Sequence, residues 1–464
     1  MVNFSLQRGT VLTAVALCVA LLAGCSAVPV VQNKSLPEES APAQEASTKP
    51  TELKNRYSLM ESAQRSKPSP VRILLAFSGG GTRASAMSYG VLRGLQQQEI
   101  PASVGGGSLL KRVEVISSVS GGSFTAAYYG LYGEKGFDDF EKKFLRRNVR
   151  SELVSAVFSP LQLFSSTGRT DVAERIYADT IFQNATYADM LRAGGPLVVI
   201  NATDLSQGSN FAFLQEYFDL LCSDLSSFPV ARAVTASSAV PVMFSPVVLR
   251  NYSGCSREDV DSYLQTVMHL TPKQSLRFKA ESLRSYADKT ERPYIHLVDG
   301  GLTDNLGVRA INDFVDVAGG MKAFANIVGI QQVPPPKHLL VIVVDASTEN
   351  NQGLDKTAKA PTIEQTLDAV TDVQLHRYNE ETLDKARVTL EQWKTDLATP
   401  EHPVNTYFIH LKFKDLDDKR RQYINQIPTT LALDKEQVDT LIGAAKDLLQ
   451  SNPQYRQFLQ DVGE

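Results

Sequence analysis

The chain has 464 residues, of which 43% are hydrophobic and 21% charged, and its formal net charge is −4. This composition is typical of a globular protein, and the length predicts one large domain or two smaller ones. The weak negative charge excludes a positively charged surface over the whole protein, so we expect no nucleic-acid partner. The six histidines and four cysteines do not have the spacing of metal ligands. We therefore expect no metal and no cofactor.

Residues 1–25 have the proportions of a signal peptide. Arg8 precedes a largely apolar run over residues 11–23, which is too short to span a bilayer. The run ends in Leu-Ala-Gly-Cys at residues 22–25, which resembles the lipobox of bacterial lipoproteins and implies that Cys25 is lipidated. Ser26 is not an acidic retention signal, and the resemblance therefore favours the outer membrane of the bacterial envelope. An ordinary secretory signal is the alternative.

Residues 26–70 are predicted to form a disordered tether. They contain six of the 22 prolines, no glycine and one aromatic residue, Tyr57. Such a segment buries too little apolar surface to offset the entropy lost on ordering. A flexible chain of this length has an r.m.s. span of about 35–40 Å. The tether would let the folded body sample the membrane surface while lipidated Cys25 holds the protein in the bilayer.

The segment after the tether alternates between apolar runs and helical spacing. Alternating strands and helices predict an α/β fold with a mostly parallel sheet that is covered on both faces. We assign this domain to residues 71–350. The predicted strands are 71–77, 113–117, 196–201, 295–298 and 339–344, and the predicted helices include 84–98, 124–129, 171–182, 230–238 and 306–315.

Three short motifs follow the ends of predicted strands. They are the glycines at residues 79–81, the Ser-Val-Ser-Gly-Gly sequence at residues 118–122, and Asp-Gly-Gly at residues 299–301. Ligands of parallel sheets bind beyond the carboxyl ends of the strands. We therefore expect the three motifs to meet at one edge of the sheet.

The three motifs supply the components of acyl transfer. Ser120 lies on a sharp turn after a strand and is the predicted nucleophile, and Asp299 is the predicted base. Partial desolvation would raise the pKa of Asp299 and make it a better base. A helix-capping role for Ser120, a turn role for Asp299, and Ser118 as the nucleophile are the alternatives. The predicted oxyanion donors are the backbone amides of Gly79, Gly80 and Gly81.

The order and spacing of these motifs resemble the patatin-like phospholipase family, and Ala-Ser-Ser-Ala-Val-Pro at residues 236–241 adds a fourth match. The resemblance spans about residues 71–310. It implies a three-layer α/β/α fold and a phospholipase A or lysophospholipase type of activity on membrane lipid. It also implies a Ser120–Asp299 dyad that uses no histidine. A catalytically silent envelope lipoprotein, and an acyltransferase or esterase acting on another substrate, are the alternative functions.

Four further residues near these motifs are predicted to support the site. Arg83 resembles the basic residue that follows the glycines in the family. This residue either holds the loop or binds a lipid phosphate. Gly122 relieves the turn at the serine, and Gly300 and Gly301 let the backbone approach closely. A nucleotide-phosphate loop is the alternative for the glycines, but the usual lysine of such loops is absent.

The C-terminal part, residues 351–464, is predicted to be a helical region with one strand. The predicted strand at 406–413 is a candidate for addition to the sheet's edge. The long helix at 361–397 is interpreted as packed or as a solvated arm, and a membrane-facing or lid role is the alternative. Elsewhere, Cys222 and Cys255 remain once the signal peptide and Cys25 are accounted for. They form either a disulfide or two free thiols.

Overall fold

The computed structural model describes residues 30–36, 56–157, 168–241, 243–255, 258–270, 273–349, 358, 360 and 363–463. The predicted signal peptide, Cys25 and residues 26–29 and 37–55 of the predicted tether lie outside the described residues.

The strands are β1 (Lys34–Ser35), β2 (Val71–Phe77), β3 (Val113–Val119), β4 (Leu197–Asp204), β5 (Ser209–Ala212), β6 (Ser223–Asp224), β7 (Val247–Arg250), β8 (Tyr294–Asp299), β9 (His338–Asp345) and β10 (Asn405–Lys412).

The α-helices are α1 (Leu59–Arg65), α2 (Gly81–Gln97), α3 (Gly121–Tyr132), α4 (Phe137–Phe140), α5 (Val149–Val157), α6 (Arg169–Tyr177), α7 (Tyr187–Ala193), α8 (Gln215–Leu220), α9 (Val230–Ser237), α10 (Glu258–Leu270), α11 (Gln274–Arg284), α12 (Gly301–Asp304), α13 (Arg309–Val317), α14 (Met321–Val328), α15 (Ile363–Leu397), α16 (Asp418–Ile424), α17 (Lys435–Ser451) and α18 (Pro453–Gly463).

The central sheet has the order β10-β9-β2-β3-β4-β8-β7, and β5 pairs with β4 outside this path. The strands from β10 to β4 are parallel to one another, whereas β5, β7 and β8 pair antiparallel. The parallel part confirms the predicted mostly parallel sheet. Its strands read as continuous apolar runs because helices cover them on both sides.

Helices lie on both faces of the sheet, which confirms the three-layer fold. On one face, α3 packs so tightly on β2 that a Cβ added to Gly122 would lie 2.8 Å from the Cβ of Phe77. On the other face, Ala76 clusters with Leu383 and Ala386 of α15. Successive residues of a strand point to opposite faces, so neighbouring residues of β2 serve both layers.

The prediction of a disordered tether is wrong for residues 30–36 and 56–70. Tyr57 is buried, and its hydroxyl bonds both the N–H and the C=O of Val198 at the start of β4. Ser58 caps α1 by accepting a hydrogen bond from the N–H of Glu61. These segments have few apolar side chains but are ordered by polar contacts with distant parts of the chain.

The segment at residues 30–36 lies against a strand that a disulfide holds. There β1 pairs antiparallel with β6, so that Ser35 lies opposite Ser223. Cys222, which precedes β6, forms a disulfide with Cys255. Of the two alternatives for these cysteines, the structure has the disulfide.

The C-terminal region shares one core with the rest of the molecule. Strand β10 extends the sheet as a parallel neighbour of β9, so the predicted edge strand is confirmed. Helix α17 lies on α2, where a Cβ on Gly90 would meet the Cβ of Ala445 at 2.7 Å. The predicted division near residue 350 therefore does not separate two cores: one apolar cluster runs from Tyr57 to Val462.

The long helix α15 is packed over its second half. Leu383, Leu390 and Trp393 are buried there, which supports the packing alternative for this half of the helix. Within the described residues, no helix combines the length and the apolar character that a bilayer crossing requires.

Candidate active site

Ser120 lies at the sharp turn between β3 and α3. Its backbone has φ +48° and ψ −120°, a conformation that only glycine adopts without strain. The turn is held from the side, because the N–H of Ser120 donates to the Oγ of Ser237 at 2.8 Å. Strain supported by neighbouring contacts is typical of a functional serine.

Ser120 and Asp299 meet, as the sequence predicts. The Ser120 hydroxyl donates to Oδ2 of Asp299 at 2.8 Å, and the N–H of Gly301 donates to Oδ1 at 2.8 Å. Both residues are 8% exposed. The carboxylate is thus fixed at one oxygen and directed at the serine with the other.

Asp299 lies at the same edge of the sheet as Ser120, but its strand does not run in the direction of the other motif-bearing strands. The convergence expected for the carboxyl ends of parallel strands does not apply to it, because β8 is antiparallel to β4. Strand β4 continues beyond the end of β3: Asn201 lies opposite Val119, and Ala202 lies opposite Asp299. β8 pairs with this extension and runs back toward the sheet, so its last residue stops beside the serine.

Burial changes the acidity of the carboxyl group. Desolvation raises the pKa of Asp299 to about 6, against smaller lowering effects of the bonds from Gly301 and Ser120. The direction agrees with the prediction. At neutral pH the carboxylate is ionised, and it is a stronger base than an exposed aspartate.

One of the three glycine amides is bonded elsewhere in the fold. The N–H of Gly79 donates to the carbonyl of Asn305 at 2.9 Å, so its prediction as an oxyanion donor is wrong. The amides of Gly80 and Gly81 donate to no backbone carbonyl within the described residues. Both have positive φ, +132° and +60°, which turns the loop sharply into α2.

The glycine loop lies directly against the serine turn. A Cβ added to Gly121 would be 2.6 Å from the nitrogen and 2.1 Å from the oxygen of Gly81. A Cβ on Gly79 would be 3.4 Å from the Cβ of Ser120. The glycine loop and the serine turn are therefore direct neighbours.

The three supporting glycines are all at close approaches. A Cβ on Gly122 would lie 2.7 Å from the carbonyl oxygen of Ser78, and one on Gly300 would lie 2.4 Å from that of Asn201. A Cβ on Gly301 would lie 3.0 Å from the carboxylate of Asp299. These contacts agree with the prediction that the backbone approaches closely here.

Arg83 holds the loop from behind. Its side chain donates to the carbonyls of Ala346 and Ile427 at 2.9 Å and 2.7 Å. Because it is only 5% exposed, it is directed into the protein and not toward a lipid phosphate at the surface. The loop-supporting alternative is the one that the structure favours.

Other polar residues near the motifs have different roles. Ser118 is fully buried and its hydroxyl donates to the carbonyl of Val199, which removes it as a nucleophile. Asp304 is buried and accepts a bond from the N–H of Arg309. His296, which the strand position predicts to be a core histidine, is exposed. No His, Cys, Asp and Glu side chains of the described residues form a group that could hold a metal.

The sequence did not reveal the role of Ser237. Besides accepting from Ser120, its hydroxyl lies 3.0 Å from that of Ser123, and its carbonyl accepts from the N–H of Gly300 at 3.1 Å. The carbonyl of Ala239 accepts from the N–H of Asp299 at 3.0 Å. The end of α9 thus connects nucleophile and base. The only signal was the Ala-Ser-Ser-Ala-Val-Pro resemblance, which assigned no role.

Comparisons with known proteins find one family and several solved structures to which the chain is similar. The sequence model of a family described as patatin-like phospholipase matches residues 75–311. No curated protein matches the chain. Human GIVD cytosolic phospholipase A2 is similar in structure, with 14% identity and a TM-score of 0.41 over 84% of this chain and 60% of that chain. Its complex with methyl gamma-linolenyl fluorophosphonate has 13% identity and a TM-score of 0.38 over 94% of this chain and 70% of that chain. The chain thus spans about 60% of the first of these structures.

Proposed function

The chain belongs to the patatin-like phospholipase family, and on this premise we propose that it is a membrane-tethered serine hydrolase that cleaves acyl esters of membrane lipids. The observation that carries the proposal is the hydrogen bond of 2.8 Å from the Ser120 hydroxyl to Asp299. A buried carboxylate with a raised pKa is a suitable base for a serine nucleophile.

In the first step the Oγ of Ser120 attacks the carbonyl carbon of the ester, and its proton passes to Oδ2 of Asp299. The negative charge that develops on the carbonyl oxygen is stabilised by the amides of Gly80 and Gly81. Losing one such donor typically costs about 3–4 kcal/mol in the transition state. The intermediate then expels the lipid alcohol, which takes the proton from Asp299 and leaves an acyl-serine.

In the second step Asp299 acts again as the base. It takes a proton from water, whose oxygen attacks the acyl carbon, and the same two amides stabilise the oxyanion. The fatty acid leaves as Ser120 recovers its proton. A single carboxylate suffices for both steps because it returns to its ionised form after each one.

The membrane attachment is proposed from the sequence at residues 22–25. We propose that Cys25 is lipidated and holds the protein on the bacterial outer membrane. Each buried CH₂ contributes about 0.8 kcal/mol, and more than one acyl chain is needed for stable anchoring. Phospholipids of the same bilayer are then the substrate class within reach.

Substitution of the two reacting residues tests the proposal. We expect Ser120→Ala and Asp299→Asn to abolish fatty-acid release from phospholipid vesicles while the fold, followed by circular dichroism, is kept. Ser118→Ala is the matched control, because Ser118 is two residues away and its hydroxyl bonds the carbonyl of Val199. Undiminished release by either active-site variant would remove the assignment.

A fluorophosphonate probe separates the alternatives. A lipid hydrolase is labelled at Ser120 and consumes phospholipid. A silent lipoprotein would not be labelled, and an acyltransferase or esterase for another substrate would be labelled without releasing fatty acid from phospholipid.

A further inference from the structure

The segment closest to the predicted anchor is fixed to the body of the protein. We call residues 30–36 the N-terminal strap. Asn33 is 3% exposed and bonds both the N–H and the C=O of Arg250, at 2.9 Å and 2.8 Å. Its own carbonyl accepts from the hydroxyl of Tyr252 at 2.7 Å. The strap is thus attached to the protein by its backbone and by a buried side chain. A flexible tether would have no such attachments.

The strand that receives the strap is itself anchored. The hydroxyl of Ser223 in β6 donates to the carbonyl of Lys34, and the N–H of Leu36 donates to the carbonyl of Cys222. Cys222 is held by its disulfide with Cys255. The strap therefore rests on a cross-linked part of the fold.

The strap begins close to Cys25. Val30 comes five positions after Cys25, and a fully extended chain covers at most about 18 Å over five residue steps. This limit is about half of the span that a freely flexible tether over residues 26–70 would have. A lipid on Cys25 must lie within this radius of Val30, whatever path the intervening residues take.

The start of the strap is connected to the active-site side of the protein. The carbonyl of Val30 accepts from the guanidinium of Arg232 at 2.5 Å, and the same guanidinium bonds Asp171 at 2.5 Å. Arg232 belongs to α9, in which about 7.5 Å of helix rise separates it from Ser237 behind the nucleophile. Thr170, beside Asp171, donates to the carbonyl of Ser245 at 2.7 Å.

Exposed apolar side chains occur on both segments that this connection joins, the strap and the chain after α9. Val30 and Val31 are exposed at the start of the strap, and Val240 and Met243 are exposed in the segment after α9, Met243 at 62%. Val240 follows Ala239, whose carbonyl bonds the N–H of Asp299. A contiguous apolar patch at a protein surface is typical of a contact with a membrane or another partner.

We propose that the N-terminal strap fixes the orientation of the protein on the bilayer, so that Val30, Val31, Val240 and Met243 face the lipid and the Ser120 site opens toward its substrate. The occupant of this apolar surface is the bilayer that holds the acyl chains of Cys25, because the short distance from Cys25 to Val30 brings that bilayer to it. The inference rests on the proposed lipidation of Cys25.

Lipid quenching of single fluorescent labels tests the orientation. Full-length protein with its native anchor is reconstituted into vesicles of phosphatidylethanolamine and phosphatidylglycerol that contain nitroxide-labelled lipid. Labels are placed at Met243→Cys or, as a matched control, at Val388→Cys, which is 71% exposed on α15. Helix α15 packs at β10, at the other edge of the sheet from β7 and about 29 Å away across six strand spacings. All variants carry Ser120→Ala so that the vesicles stay intact.

We expect severalfold stronger quenching at position 243 than at position 388. Inserting about 20 residues of Gly and Ser between Cys25 and Val30 adds an r.m.s. span of about 25 Å and should remove the difference without disturbing any contact of the strap. Asn33→Ala, which removes both side-chain bonds between the strap and Arg250, should reduce the difference.

Equal quenching at positions 243 and 388 in the acylated protein would overturn the proposal, as would a difference that survives the insertion. Mass spectrometry of the N-terminal peptide determines separately whether Cys25 is acylated, and an unmodified cysteine would also overturn it. Because the vesicle experiment uses the Ser120→Ala background, its result is independent of whether the protein hydrolyses lipids.

Discussion

At the scale of single residues, the burial of Asp299 that suits catalysis also costs stability. Its pKa rises from 3.8 to about 6 in the folded protein. A carboxyl group with a raised pKa favours the folded state at low pH, and this contribution is lost as the pH rises through the folded-state pKa. Above pH 6 the fold therefore holds an ionised group that water would solvate better.

Replacing the carboxylate should stabilise the protein at alkaline pH. A shift of about 2 pKa units corresponds to roughly 3 kcal/mol, so we expect Asp299→Asn to raise the free energy of unfolding by an amount of this order at pH 8. The gain should shrink as the pH falls from about 6 toward 4. Urea unfolding at both pH values measures it, and an equal effect at pH 4 and pH 8 would contradict this explanation.

Ser237 is a positioning residue, because it acts through the backbone of Ser120. Ser237→Ala leaves a buried N–H without its acceptor, which typically costs about 1–3 kcal/mol. We expect kcat to fall by one to two orders of magnitude with little change in KM, since the substrate-binding surface is untouched.

Ser238→Ala is the control for this substitution, because the hydroxyl of Ser238 bonds only carbonyls of its own helix. Kinetics on a soluble ester separate the two parameters. A Ser237→Ala enzyme with normal kcat and raised KM would mean that Ser237 does not position the nucleophile.

At the scale of elements, the site depends on how closely α3 and the turn after β8 approach the sheet. Gly122→Ala would place a methyl group 2.7 Å from the backbone oxygen of Ser78. Gly300→Ala would place one 2.4 Å from the backbone oxygen of Asn201. Overpacking of this kind typically costs about 1–3 kcal/mol, and here it would also displace the nucleophile or the base. We expect both variants to lose stability and most of their activity.

Gly443→Ala is the matched control for the glycine substitutions. Gly443 lies in α17, and a Cβ there would have no neighbour within 4 Å. Alanine in a helix interior is favoured over glycine by about 1 kcal/mol, so this variant should gain stability and keep its activity. Thermal unfolding and fatty-acid release measure both effects; a similar loss in all three variants would argue against the close-approach explanation.

The elements themselves could largely be predicted, but the direction of β8 could not. Apolar runs identified β2, β3, β4, β8, β9 and β10 because strand periodicity is a local property. Whether β8 runs parallel or antiparallel depends on the extension of β4 that it joins, about 95 residues earlier in the chain. The pairing of Ser120 with Asp299 was predicted from motif resemblance, and the loss of Gly79 as a donor depends on Asn305, which no pattern marked.

At the scale of the whole molecule, composition was misleading where polar residues form distant contacts. Asn33 and Tyr57 lie in a proline-containing polar segment, yet their partners Arg250 and Val198 are 217 and 141 positions away. A low content of apolar residues predicts disorder, because little apolar surface can then be buried. Hydrogen bonds between polar groups that are far apart in the chain do not show in the composition. The positions of α1 and the N-terminal strap could therefore be learned only from the structure.

The shared core also makes the C-terminal region necessary for folding. Strand β10 covers the edge of β9, and α17 packs on α2, the helix that begins at the glycine loop. Removing residues 351–463 would expose a parallel edge strand and the apolar face of α2, so we expect a chain of residues 30–350 to aggregate or to remain a loosely packed state. A chain of residues 30–463 should unfold cooperatively in urea. Near-ultraviolet circular dichroism and dye binding distinguish the two, and a shorter chain that unfolds cooperatively at the same urea concentration would show that the family-matching part folds alone.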